Sequence, residues 1–315
     1  MTSLIIRRLL LAVPTLLLVA VLVFTLQKLL PGDPVLVLAG EERDPQVIEA
    51  LRIKYGFDQP IPMQFLYWIG NALQGDLGLS YKTSEPVLRL IGQKLPVTIE
   101  LATLAILIAM LIGIPAGILS AYKKGTWIDY AANIFSLSGL SIPNFWLGII
   151  LILVVSVHFQ LLPASGFVSP WEDLGQNLKT MILPAFVLGN ALAASLMRHT
   201  RSAMLAVLSQ DYVRTARAKG LLETTVLLKH ALRNALIPVV TVLTLLFGEL
   251  LAGTVLTEQI FTIPGFGKLV VDSVFNRDYA VVQGVVLCTA VGFIGLNLVA
   301  DVAYGLLNPR MRNAQ

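Results

Sequence analysis

Charge is scarce in this 315-residue sequence: only 13% of its residues are Asp, Glu, Lys or Arg, where a soluble domain carries about 25%. With 56% hydrophobic residues and a mean hydropathy of +0.77, the chain holds more apolar surface than a soluble core could bury. Cysteine is nearly absent. The single Cys288 lies in an apolar run, which excludes an intrachain disulfide framework and a thiolate metal cluster. His158, His199 and His230 fall in three separate segments without a second His or Cys three or four residues on, so no metal site is expected. A nucleotide-binding P-loop is missing too. Its glycines let backbone amides wrap phosphates, and the nearest match has Tyr81 where the second glycine belongs, before Lys82 and Thr83. Gly265, Gly267 and Lys268 read as a turn after Pro264. The chain is therefore not expected to use ATP, to carry catalytic residues or to bind a cofactor. The net charge of +4 is spread over the ends of apolar runs, which fits membrane orientation and not a nucleic-acid face.

What the sequence does have is long apolar runs. A helix needs roughly 20 apolar residues to cross a bilayer core, and six stretches qualify: Leu9 to Leu26, Ile99 to Ala121, Ile134 to Val157, Met181 to Met197, Ala235 to Leu256 and Val281 to Ala303. The first follows Arg7 and Arg8. It is longer than a signal-peptide core and is not followed by a small-x-small cleavage site, so it reads as an uncleaved span. The fold class expected is an all-α integral membrane protein with six transmembrane helices. Short loops rich in Lys and Arg stay in the cytoplasm. Placing both termini inside puts Arg7, Arg8, Lys123, Lys124, the basic residues from Arg198 to Arg233, Arg310 and Arg312 on that side, with Asp129, Asp211 and Glu223 the only acids beside them.

Four regions follow: an N-terminal span over residues 1–30, an extracytoplasmic segment with short helices over 31–98, a five-span core over 99–303, and a cytoplasmic tail over 304–315. In the outer segment Asp44 and Pro45 form an N-cap and first-turn pair, Val47, Ile48, Leu51 and Tyr55 share a helical face, and Gly56 is placed to end that helix. Phe65, Tyr67 and Trp68, on a second amphipathic stretch from Met63 to Leu73, suit a membrane interface.

The later spans carry internal breakers: Gly113, Pro115 and Gly117, then Pro143, Gly248 and Gly253, and Gly292 and Gly295. Small residues let helices approach closely and proline bends them; their number favours a path built from bent helices. Pro143, Asn144, Phe145, Glu249 and Asn297 are candidates to line it. Glu249 lies inside the fifth span, where an ionised acid costs about 2.5 to 3.5 kcal/mol on insertion scales; substrate contact and structural hydrogen bonding both remain open for it. Asp301 is close enough to the interface to be hydrated. The longest inner loop, 198–234, reads as two short helices, the first capped by Asp211, running from Tyr212 to Lys219 and stopped by a left-handed Gly220. Ala216 and Ala218 leave room there for a close neighbour.

That loop contains D-Y-V-R-T-A-R-A-K-G at 211–220 and K-H-A-L-R-N-A-L-I-P at 229–238. Elsewhere stand L-P-G-D-P at 30–34, F-D-Q-P-I at 57–61, G-D-L-G-L-S at 75–80, P-N-F-W at 143–146, E-Q-I-F-T-I-P-G-F-G at 258–267, N-R-D-Y at 276–279 and N-P-R at 308–310. In this ordered set the chain resembles permease subunits of binding-protein-dependent ABC importers, in the branch handling dipeptides, oligopeptides, nickel and glutathione. The resemblance implies the type I importer permease fold and an ATPase-coupling role for Tyr212, Arg214, Thr215, Ala216, Arg217, Gly220 and Glu223. The general importer signature E-A-A-x-x-x-G appears here as R-T-A-x-x-x-G, with Arg214 and Thr215 at the first two positions. It also implies partners: a second homologous permease, two ATPase subunits that bind ATP and Mg, and a periplasmic or lipid-anchored binding protein that delivers cargo. Residues near 37–42 and 228–234 are similar to glutathione and dipeptide members, with a nickel-complex importer as the alternative. A stand-alone secondary transporter is a remoter reading, since only Glu249 lies deep and no inverted repeat is visible.

Overall fold

The computed structural model describes residues 2–29, 33–40 and 44–307. Leu30 to Gly32 of the first motif, Glu41, Glu42, the N-P-R motif and the side chain of Asp301 lie outside what is described. Among the described residues the chain is helical throughout, with one isolated antiparallel bridge between Leu79 and Pro86. In chain order come α1 (Thr2–Lys28), α2 (Pro34–Ala39), α3 (Pro45–Lys54), α4 (Ile61–Leu73), α5 (Val87–Tyr122), α6 (Trp127–Ser141) and α7 (Asn144–Leu151), which runs into a π-helical turn, Ile152–His158. Then follow α8 (Leu174–Leu208), α9 (Asp211–Ala218), the single turn α10 (Glu223–Thr225), a π-helical stretch Val226–Ala231, α11 (Leu232–Gly253), α12 (Val255–Ile260), α13 (Phe266–Phe275) and α14 (Tyr279–Leu307).

Among the described residues five helical segments are long and apolar enough to cross a membrane, and a sixth span arises if α6 and α7 with its π-helical turn count as one. Those two are bent by 98°, so the stretch Ile134 to Val157 is not one continuous helix. Pro143 has no N–H to donate and crowds the residue before it out of the helical region. Ile142 accordingly sits at φ −81, ψ 120, its own N–H still closing on Ser138 O at 3.0 Å. Helices α5 and α8 are 36 and 35 residues long, extending well beyond the apolar runs that announced them.

The chain divides into two compact units, residues 1–97 with 265–298 and residues 98–264 with 299–315. In the first, Leu77, Val87, Ile91, Phe266, Val281 and Val285 form a buried core. Its helix α3 starts as the sequence predicts: Asp44 Oδ1 accepts the Gln46 N–H at 2.8 Å, and Gly56 stands at φ +70 beyond the C-terminus. In the second unit α8 is the hub. Small residues bring α5 against it: a Cβ on Gly113 would lie 2.7 Å from Ala193 O, and one on Gly117 2.6 Å from Thr200 Cβ. Such close backbone approach is how helices associate without water to drive them together. The Ser136 hydroxyl of α6 donates to Ala194 O at 2.8 Å, and Ala121, Met204, Ala231 and Ala235 close the far end of α8 against α11.

Candidate functional site

Helix α9 is short, basic and firmly seated. Its inward residues Val213 and Ala216 pack on Val226 and on Val207 and Leu208 of α8. The Arg217 guanidinium grips the Glu223 carboxylate with two bonds, Nη2 to Oε1 at 2.7 Å and Nε to Oε2 at 3.2 Å. Tyr212 Oη accepts from Asn234 Nδ2 at 2.7 Å. The C-terminus closes by the double bond of a Schellman stop, Gly220 N to Arg217 O at 2.9 Å and Leu221 N to Ala216 O at 3.4 Å, with Gly220 at φ +76. The left-handed stop is thus where the sequence places it. The start differs: Asp211 is the first residue of the helix and not its cap, which is Gln210 with no side-chain bond. The close neighbour that the small side chain of Ala216 admits is Val226 of this chain. Left exposed on α9 and its stop are Tyr212, Arg214, Thr215, Arg217, Ala218, Lys219 and Gly220.

Near that loop's beginning lies an ion pair with no sequence motif to announce it. Arg201 of α8 donates to Asp129 of α6 through Nε at 2.8 Å and Nη2 at 2.9 Å. Ser120 of α5 donates to the same carboxylate at 2.6 Å, as do the Gly125 N–H at 3.0 Å and Asn133 Nδ2 at 2.9 Å. The Asp129 side chain is only 6% exposed. Three helices and one turn therefore meet on one carboxylate. A buried charge with every lone pair occupied holds geometry, and it becomes costly once a partner is removed.

The path candidates fall on separate elements. Pro143 and Phe145 are exposed at the α6–α7 break, Asn144 is half-buried beside them, and Glu249 is exposed on α11. Asn297 lines a small recess with Arg8 and Thr15. Gly292 and Gly295 face open space, with nothing within 4 Å of an added Cβ, unlike Gly113 and Gly117.

A sequence model described as the inner membrane component of binding-protein-dependent transport systems matches residues 113–313, and the N-terminal model of the same components matches 1–102. The chain belongs to this permease family. It is 46% identical over 312 residues to the glutathione transport system permease of Escherichia coli O6:H1, and 43% identical over 337 aligned positions to the dipeptide transport system permease of Escherichia coli K12, covering 99% of both chains in each pair. A solved structure of the MetNI methionine ABC transporter in inward-facing form shares the fold, with a TM-score of 0.57 at 18% identity over 72% of this chain and 100% of that one. The chain is accordingly a multi-pass inner-membrane component of a binding-protein-dependent transport system.

Two buried acids in this permease escape sequence reasoning. Glu258 of α12 is fully buried and accepts from Thr98 Oγ1 at 2.6 Å and Thr254 Oγ1 at 2.9 Å. The threonine four residues earlier was the available signal. Asp278 caps α14 and gathers the 80–82 turn, accepting from Ser80 Oγ at 2.5 Å and from the Tyr81 and Lys82 N–H groups at 3.1 and 3.4 Å. Burial pushes the Tyr81 phenol well above its ordinary range, and the Asp278 charge adds to the effect.

Proposed function

We propose that this chain is one of two permease subunits of an ATP-driven importer for small peptides. In this reading both termini and the 198–234 loop face the cytoplasm, while residues 31–98 face outward and receive a binding protein. The cargo follows from the relatives, whose names give glutathione and dipeptide transport and thereby favour a peptide over a nickel complex. ATP and Mg belong to two partner ATPases. Residues Pro143, Asn144, Phe145, Glu249 and Asn297 are proposed for the path, completed by the second permease.

The observation that carries the coupling role is the two-sided character of α9. One side is fastened to the body by Val213, Ala216 and the Arg217–Glu223 pair, and the other presents exposed Tyr212, Arg214, Thr215, Ala218 and Lys219. A docking element needs both properties, a face to offer and an anchorage to pull on. Gly220→Val tests it. An added Cβ there meets nothing within 4 Å, so the cost comes from the backbone: a left-handed residue other than glycine loses about 1–2 kcal/mol. The helix end should shift while insertion proceeds normally, and uptake should fall steeply through lost ATPase association or lost stimulation of hydrolysis. Arg214→Glu, which gives up only an exposed ion pair with Asp211, should likewise lower uptake. Normal insertion, full ATPase co-purification and parental uptake in both variants would sink the assignment.

A further inference from the structure

Within the first unit lies a cavity of about 510 Å³, in the volume range of small-molecule sites. Its walls come from the end of α1, from α3, α4 and the turn after it, and from the start of α14. They carry Phe24, Tyr55, Phe57, Tyr67, Trp68, Tyr81 and Tyr279. Three buried polar groups in these walls have no hydrogen-bond partner: Gln27 Oε1, the Trp68 indole N–H and the Tyr279 hydroxyl. Gln27 and Tyr279 are each only 5% exposed. Buried polar groups are nearly always paired, and an unpaired one costs about 1–3 kcal/mol. One wall with three of them is a wall built for an occupant.

The chemistry of that occupant can be read from the groups. Lys28 brings a positive charge, donating to Gln64 Oε1 at 2.6 Å and standing 5.3 and 5.2 Å from the Phe24 and Phe57 ring centroids. With the Trp68 N–H it suits an anion. Gln27 Oε1 accepts only, and together with the aromatic faces it suits an N–H-bearing cation. Location supplies the third constraint. Lys28 ends one membrane-spanning helix and Tyr279 begins another, so the cavity sits at headgroup depth. Along α1 the side chains of Leu18, Leu22 and Leu26 are exposed, a bare apolar track for acyl chains.

We infer that this cavity holds the headgroup of a phospholipid bearing a primary ammonium, its phosphate on Lys28 and Trp68 and its ammonium on Gln27, Tyr279 and the rings. The inference rests on the chain spanning the membrane and is independent of the coupling role of α9. The assembled transporter, partly delipidated and studied by native mass spectrometry, tests it. Reloaded in turn with phosphatidylethanolamine, phosphatidylcholine and phosphatidylglycerol, it should retain the first about tenfold more tightly than the others, which lack either the N–H or the cation. Losing one charge-assisted bond should cost about tenfold in affinity, so Trp68→Phe and Gln27→Leu should each weaken retention by that much. In lipid-free detergent Gln27→Leu should melt no lower than the parent, because it removes an unpartnered group, whereas Trp68→Phe also gives up part of the ring packing on Phe24 and Phe65. Equal retention of all three lipids, or unchanged retention in both variants, would overturn the inference. So would displacement of the lipid by inorganic phosphate or trialanine, which would assign the cavity to a soluble ligand.

Discussion

Helices α1 and α8 stand at opposite ends of one scale. α1 is the most apolar of the spans, yet only 22% of its most apolar window is buried within the chain; α8 is far less apolar, and 67% of its window is buried. A soluble protein would reverse that order, because apolar side chains leave water for the core. In lipid the tails are as apolar as leucine, and helices are held together by close packing and hydrogen bonds. α8 supplies these with Gly189, Ala193 and Ala194 for approach and with Asn177, Ser136's acceptor Ala194 and Arg201 for bonding. Hydropathy says which segments cross the membrane; small and polar residues say which of them is the hub.

The strongest test of that comparison is Arg201→Ala, which strands the buried Asp129 carboxylate. Breaking a buried pair costs about 3–5 kcal/mol, and Arg201's partial exposure of 25% places the expected loss near the lower end. Thermal unfolding in detergent should show a large drop, with Asp129→Ala/Arg201→Ala recovering part of it. Gly117→Val should come next. Its side chain would collide with Thr200 and Met197 of α8, and overpacking costs about 1–3 kcal/mol; a melting curve like the parent's would mean that α5 and α8 do not approach as described. Leu22→Ala on α1 should do least. Leu22 is 50% exposed, and surface changes away from special features stay within about 0.5 kcal/mol. A loss above 2 kcal/mol in the subunit alone would show that α1 packs inside the chain after all.

The features legible in the sequence were those with local causes. Apolar runs marked the spans, Asp44 and Gly56 bounded α3, Gly220 stopped α9, and Pro143 marked a break. The sharpness of that break was not legible, since a proline forbids a helix without fixing the angle taken up instead. Asp129 and Arg201 are 72 residues apart, and nothing local joins them. Ala216 reads as room for a close neighbour, but which residue takes that room, Val226, is not legible locally. Glu249 stands out in the sequence as an acid inside an apolar run; the structure leaves it exposed on α11 and puts Asn297 in a small recess with Arg8 and Thr15.

Between the Arg217–Glu223 pair and α11 the backbone is π-helical over Val226–Ala231, one residue wider per turn than its surroundings. Each residue of an α-helix turns the chain by about 100°. Deleting one residue from the α-helical winding of α11 would therefore swing everything before it by about 100°. Six π-helical residues turn the chain about as far as five α-helical ones, so the same deletion inside Val226–Ala231 would restore ordinary winding and leave the facing of α9 unchanged. The stretch works as slack in the chain: it takes up one surplus residue without turning α9, and a single deletion is more tolerable there than in the α-helical turns that follow.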